Sequence, residues 1–166
     1  MNKYYYLISS LPFLEFKQEL PLSRQAFLAE AEKWLKPGDF ARLKSADIYN
    51  LDISRKDLAI VKEYKLFELV LRQRVSEVRI ARKSGVEKKP SALVKAVFEQ
   101  KDPLAMEIAL MKIRWDFLDE KQKFYFFDLN WLVIYFLKLQ VLERWTGFDK
   151  QKGIEVFDKL CEVANG

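Results

Sequence analysis

The groups with the plainest chemical character in this sequence are arginines and lysines gathered in one segment. Residues 72–89, RQRVSEVRIARKSGVEKK, carry Arg72, Arg74, Arg79, Arg82, Lys83, Lys88 and Lys89 against Glu77 and Glu87. The segment's excess of five positive charges equals the +5 of the whole chain, so the remainder is balanced. Lys65, Arg72 and Arg79 are seven positions apart, which on a helix sets them almost in line, with Arg82 a turn further on. Three uses suit such a stripe. It can be a solvated helix end whose cations offset the helix dipole, a docking surface for an acidic protein, or a phosphate-attracting face for nucleic acid. Nucleic acid is the alternative to a protein partner, because the segment has no aromatic residue on which bases could stack.

Groups that could react are sparse by comparison. The chain has no histidine, which removes the usual general base near neutral pH and the commonest metal ligand. Its single cysteine, Cys161, sits in FDKLCEV at helical spacing and reads as a buried thiol rather than a nucleophile. One cysteine makes no disulfide within the chain, which fits a reducing compartment. Asp116, Asp119 and Glu120 lie close together, but most carboxylates alternate with lysine and arginine, as on solvated helix faces. No glycine-rich phosphate loop, nucleophile elbow or cysteine pair appears. The expectation is a protein that is not an enzyme, with no catalytic residue, no cofactor and no metal.

The elements that must carry these groups are helices. Half of the 166 residues are hydrophobic, and only 5 Gly and 5 Pro interrupt them. SRQAFLAEAEKWL places Phe27, Leu28, Ala31, Trp34 and Leu35 on one stripe, with Ser23 as the cap and Pro37–Gly38 as the stop. From about residue 54 to 83, Ile60, Tyr64, Phe67, Leu71, Val75 and Val78 step by three or four, predicting one long helix. Ser54 and Asp57 resemble a capping box at its start. A helix follows in SALVKAVFEQ, and another in DPLAMEIALMKIRWDFLDEKQ, capped by Asp102 with Pro103 at its first position. YFFDLNWLVIYFLKLQVLERW is the most apolar stretch, but its uncharged middle between Asn130 and Lys138 is too short to span a membrane, so it reads as a core helix. A short amphipathic helix closes the chain in FDKQKGIEVFDKLCEV. The first residues, KYYYLISSLPFLEF, read as a short strand or helical turn, then an extended segment. Tyr4, Tyr5 and Tyr6 cannot all face one core, so at least one should meet solvent or a partner. The fold expected is an all-α, antiparallel helical bundle in one domain over 1–166, divisible into sub-lobes 1–85 and 90–166. No targeting signal opens the sequence.

Three motifs carry a resemblance. KYYYLISSLPFLEF, RWDFL and FFDLNWLVIYFLKLQVLERW together resemble an uncharacterised bacterial family encoded alongside V/A-type ATPase subunits. ELVLRQRVSEVRIARKSGV, and LKLQVLERW followed by KGIEVFDKL, are in turn similar to elements of the C (also called d) subunit of that rotary complex. The resemblance implies an all-helical, non-enzymatic adaptor between the membrane rotor and the central stalk, serving ion transport by passing torque through contact. Stalk or rotor subunits are the implied partners, met through Lys65, Arg72, Arg74, Arg79, Arg82, Lys83, Lys88 and Lys89. The implied location is cytoplasmic, peripheral at the inner membrane face. The sequence is much shorter than members of that adaptor family, which leaves open a stoichiometric subunit or an assembly factor.

Overall fold

A computed structural model describes residues 4–148 and 161–162. Among the described residues there are seven helices and no strand: α1 (Tyr5–Ser10), α2 (Arg24–Trp34), α3 (Pro37–Lys44), α4 (Ala59–Lys83), α5 (Lys95–Phe98), α6 (Pro103–Gln122) and α7 (Leu129–Thr146). The fold is all-α, as the three-to-four spacing of apolar residues requires. The closing amphipathic helix falls outside the described residues, apart from Cys161 and Glu162. Cys161 is exposed, which corrects the buried thiol expected from its spacing.

The helix α7 is the axis of the molecule. Leu132 through Leu142 are buried without a break, including Lys138 and Gln140, because α2, α3, α4 and α6 all pack on it. A helix enclosed on every side must give each polar side chain a partner. Lys138 donates to the Asp119 carboxylate and to Gln122, both at 2.7 Å. Gln140 accepts from Ile48 N–H at 3.0 Å and donates to Ala46 C=O at 2.9 Å, which pins the loop between α3 and α4. Asp128 caps α7 by accepting from Trp131 N–H. Phe27, Ala31, Leu43, Ile60, Tyr64, Met111 and Leu118 complete the main core around this axis.

Several boundaries differ from the sequence reading. Of the two alternatives at the start, residues 5–10 take the helical one, since Leu7 and Ile8 turn into the core together; the chain beyond Leu11 is extended, as expected, and Tyr135 anchors it by donating to Pro12 C=O. Pro37 stops α2 but also opens α3, where its missing N–H costs nothing. The stretch SALVKAVFEQ condenses to a single turn of helix, Lys95–Phe98.

The largest correction concerns α4, which begins at Ala59 and not at residue 54. Ser54 and Asp57 do interact, with Ser54 N–H donating to the Asp57 carboxylate at 2.9 Å, but they close a separate turn ahead of the helix. The Asp57 carboxylate faces Lys65, and meeting it holds the turn back from the helix. At the other end the stop is local. Gly85 has φ +71, Val86 N–H bonds Ala81 C=O at 2.9 Å and Gly85 N–H bonds Arg82 C=O at 3.2 Å. That pair of bonds with a left-handed glycine between them is a Schellman closure, which a side chain with a Cβ would strain.

A smaller apolar cluster supports the outer half of α4. Leu71 and Val75 meet Val94 and Val97 from the α5 region and Leu110 from α6. Among the described residues, no helix is long and apolar enough to cross a membrane.

Candidate functional site

Charged side chains from three helices, with a tyrosine from a loop, meet where α4 passes α6 and α7. The α4 helix supplies Glu68, Arg72 and Arg79, one turn or two apart on the same face. From α6 come Glu107 and Arg114, from α7 Arg144, and from the loop pinned by Gln140 comes Tyr49. They line an open cleft of about 350 Å³ whose floor is apolar, formed by Leu71, Val75, Leu110, Met111 and Val141.

Glu68 organises one wall. Its side chain is 0% exposed, and an isolated carboxylate so placed would be strongly disfavoured. Arg114 answers with a two-pronged contact, Nε–H to Oε2 and an Nη to Oε1, both at 2.8 Å. Arg72 adds Nε–H to Oε1 at 2.9 Å while its own side chain is 49% exposed. Two guanidiniums therefore share one carboxylate. Burial works against the Arg114 charge, but the hydrogen bonds and negative charge of Glu68 outweigh it, so its pKa is raised and the cation persists. Tyr64, one turn before Glu68, has its hydroxyl pushed well above the usual range, by burial first and then by the Glu68 charge.

Arg144 forms the opposite wall. It donates to Glu107 and, at 3.1 Å, to the Tyr49 hydroxyl, and its guanidinium lies 5.7 Å from the Tyr49 ring centre. Burial lowers and those partners raise the Arg144 pKa, with a net rise. Its Nε is buried with no hydrogen-bond partner among the described residues.

The residues predicted from sequence to bind a partner separate into groups. Lys65 is removed from the set: its side chain is 3% exposed, held by Asp57 at 2.8 Å and by Asp52 C=O. It does align with Arg72 and Arg79, but the turn at residues 52–57 folds over it. Arg72 and Arg79 enter the cleft. Arg74 and Lys88 both pair with Glu77, at 3.4 and 3.3 Å, on the exposed side. Arg82 lies over the Phe98 ring, 4.7 Å from its centre, so the structure gives the basic segment the aromatic neighbour its own sequence lacks. Lys83 and Lys89 are exposed.

Sequence reasoning missed Glu68, Glu107, Arg114 and Arg144. A signal was present for Glu68 alone, since Glu68–Arg72 is an i,i+4 pair, whereas Arg114 and Arg144 find their carboxylates on other helices. Surface pairs share that spacing, and only the packing of α6 and α7 on α4 distinguishes them. The tyrosine expectation holds: Tyr4 is buried and donates to Asp39, whereas Tyr5 and Tyr6 are exposed, Tyr6 stacking on Trp34. Among the described residues, no group of three or more Cys, Asp or Glu gathers as a metal site.

No curated protein matches this chain, and no solved structure does. A family model described as "Protein of unknown function (DUF2764)" matches residues 91–165, under half of the 166 residues. That stretch contributes Glu107, Arg114 and Arg144 to the cleft, while Glu68, Arg72 and Arg79 lie ahead of it. Over α5 to α7 and the residues that follow, this chain is similar to that family of unknown function.

Proposed function

We propose that this chain is a non-enzymatic adaptor that docks an acidic protein surface through the tip of α4. In this reading it serves a bacterial V/A-type ATPase, as a component or accessory protein resembling the C (d) subunit and standing between membrane rotor and central stalk. The observation that carries the docking is the composition of the tip. Ile80 and Val86 are 63% and 58% exposed, and they stand among exposed Arg82, Lys83, Lys88 and Lys89. Exposed aliphatic side chains set among cations offer apolar contact within a charged rim, the combination that interfaces use. Assignment to the ATPase is supported by the resemblance of KYYYLISSLPFLEF, RWDFL and FFDLNWLVIYFLKLQVLERW. Torque transfer needs stiff elements, and the 25-residue α4, buttressed by α6 and α7, meets that need.

Affinity purification of the tagged chain from its native cell tests the assignment. Stalk or rotor subunits should co-purify, and Ile80→Glu with Lys83→Glu should abolish their recovery. Recovery of unrelated proteins alone, or equal recovery by the variant, overturns the reading. Titration with RNA and DNA at two salt concentrations tests the alternative, a nucleic-acid-binding helical protein using residues 72–89. Binding that weakens steeply with salt would favour it.

A further inference from the structure

The cleft between α4, α6 and α7 has more positive charge than its own carboxylates neutralise. Glu68 faces both Arg72 and Arg114, so one cation of that trio has no counter-charge. Glu107 and Arg144 balance each other. Arg79 lines the mouth and makes no ion pair among the described residues. The sum is two positive charges over an apolar floor, carried at the open side by Arg72 and Arg79.

The donors left over are specific. Arg114 commits Nε and one Nη to Glu68, and Arg72 commits only Nε, so the outer NH2 groups of Arg72 have no partner among the described residues. Arg144 Nε is buried and likewise lacks a partner among the described residues. Fixed guanidinium groups match oxyanions by paired N–H bonds, and Glu68 holds Arg72 in place before any ligand arrives. A carboxylate brings one negative charge, half of the cleft's excess of two. A phosphate monoester presents three oxygens and a charge near −2 at neutral pH, which suits two guanidiniums. A volume of about 350 Å³ lies near the small end of ligand sites, room for a phosphate and one ring or short chain.

We propose that this cleft binds a phosphate monoester with a compact apolar body. The phosphate is held by Arg72 and Arg79, and the body lies on Leu71, Val75 and Leu110. Three separate stretches build the site: ELVLRQRVSEVR supplies Glu68, Arg72 and Arg79, RWDFL supplies Arg114, and LERW supplies Arg144. The site is independent of the docking tip, which lies at the C-terminal end of α4.

Calorimetric titration of the intact 166-residue chain with phenyl phosphate, inorganic phosphate and phenylacetate tests it. Phenyl phosphate should bind at least about tenfold more tightly than either of the others, because inorganic phosphate lacks the apolar body and phenylacetate brings one charge in place of nearly two. Arg79→Ala should weaken that binding by about tenfold or more, and Arg74→Ala, outside the cleft, by less than about twofold. Ser76→Phe, which narrows the mouth without altering charge, should also abolish binding. Lys83→Glu with Lys88→Glu should leave it intact, which separates this site from the docking tip. The proposal fails if no probe saturates, if inorganic phosphate or phenylacetate binds as tightly, or if Arg74→Ala weakens binding as much as Arg79→Ala. Unaltered binding by Ser76→Phe overturns it too.

Discussion

Lys65 and Arg72 stand two turns apart on one face of α4 and are placed in opposite ways. Lys65 lies in the half of the helix that packs into the main core, and the turn at 52–57 closes over it. Its charge is matched one for one by Asp57. Arg72 lies in the outer half, supported by the smaller Leu71–Val97 cluster, and shares its carboxylate with Arg114. The first cation is structural and closed; the second faces a cleft with charge left over. What separates them is the partner each finds across the fold, since their positions on the helix are equivalent.

The sharpest way to break this contrast is Glu68→Ala. Removing the anion shared by two guanidiniums leaves the mostly buried Arg114 without its ion pair, and unfolding free energy should fall by about 3–5 kcal/mol in urea titration. A loss below about 1 kcal/mol would mean that water screens Arg114 as it does Arg72.

The closed half is tested through Asp57. Burial pushes its pKa up, but hydrogen bonds from the Lys65 ammonium and from Ser54 N–H, with the charges of Lys65 and Lys62, bring the net value below normal. A depressed carboxyl pKa stabilises the fold above the unfolded value of about 3.9, and that stability is lost as pH falls through the lower folded value. Asp57→Asn should cost about 1–3 kcal/mol at neutral pH and flatten the decline of stability below about pH 4. An unchanged acid profile would show that another carboxylate governs it.

The smallest effect is expected at Lys88→Ala. Its pair with Glu77 is exposed, so stability should change by less than about 0.5 kcal/mol, and salt should erase the difference. A larger loss would assign the basic tip a structural role.

Much of this was legible in the chain. The stripe from Ile60 to Val78 and the Asp102 cap follow from periodicity and local hydrogen bonding, and the apolar run between Asn130 and Lys138 marks a core helix. The start of α4 was misread because Ser54 and Asp57 satisfy a local rule whose carboxylate is also claimed by Lys65, eight residues on. The cleft escaped for a related reason. Glu68 and Arg114 are 46 positions apart, and nothing in either neighbourhood marks them as partners.

Sequence by itself determined where the helices run and which face of each is apolar, because turn-to-turn spacing and end caps act within a few residues. It also determined that positive charge concentrates at the end of α4. Which cations are buried, which share an anion and which remain free to hold a ligand was decided only by tertiary structure. A charge takes its energy from whatever lies within a few ångströms, and here those neighbours arrive from helices far apart in the chain.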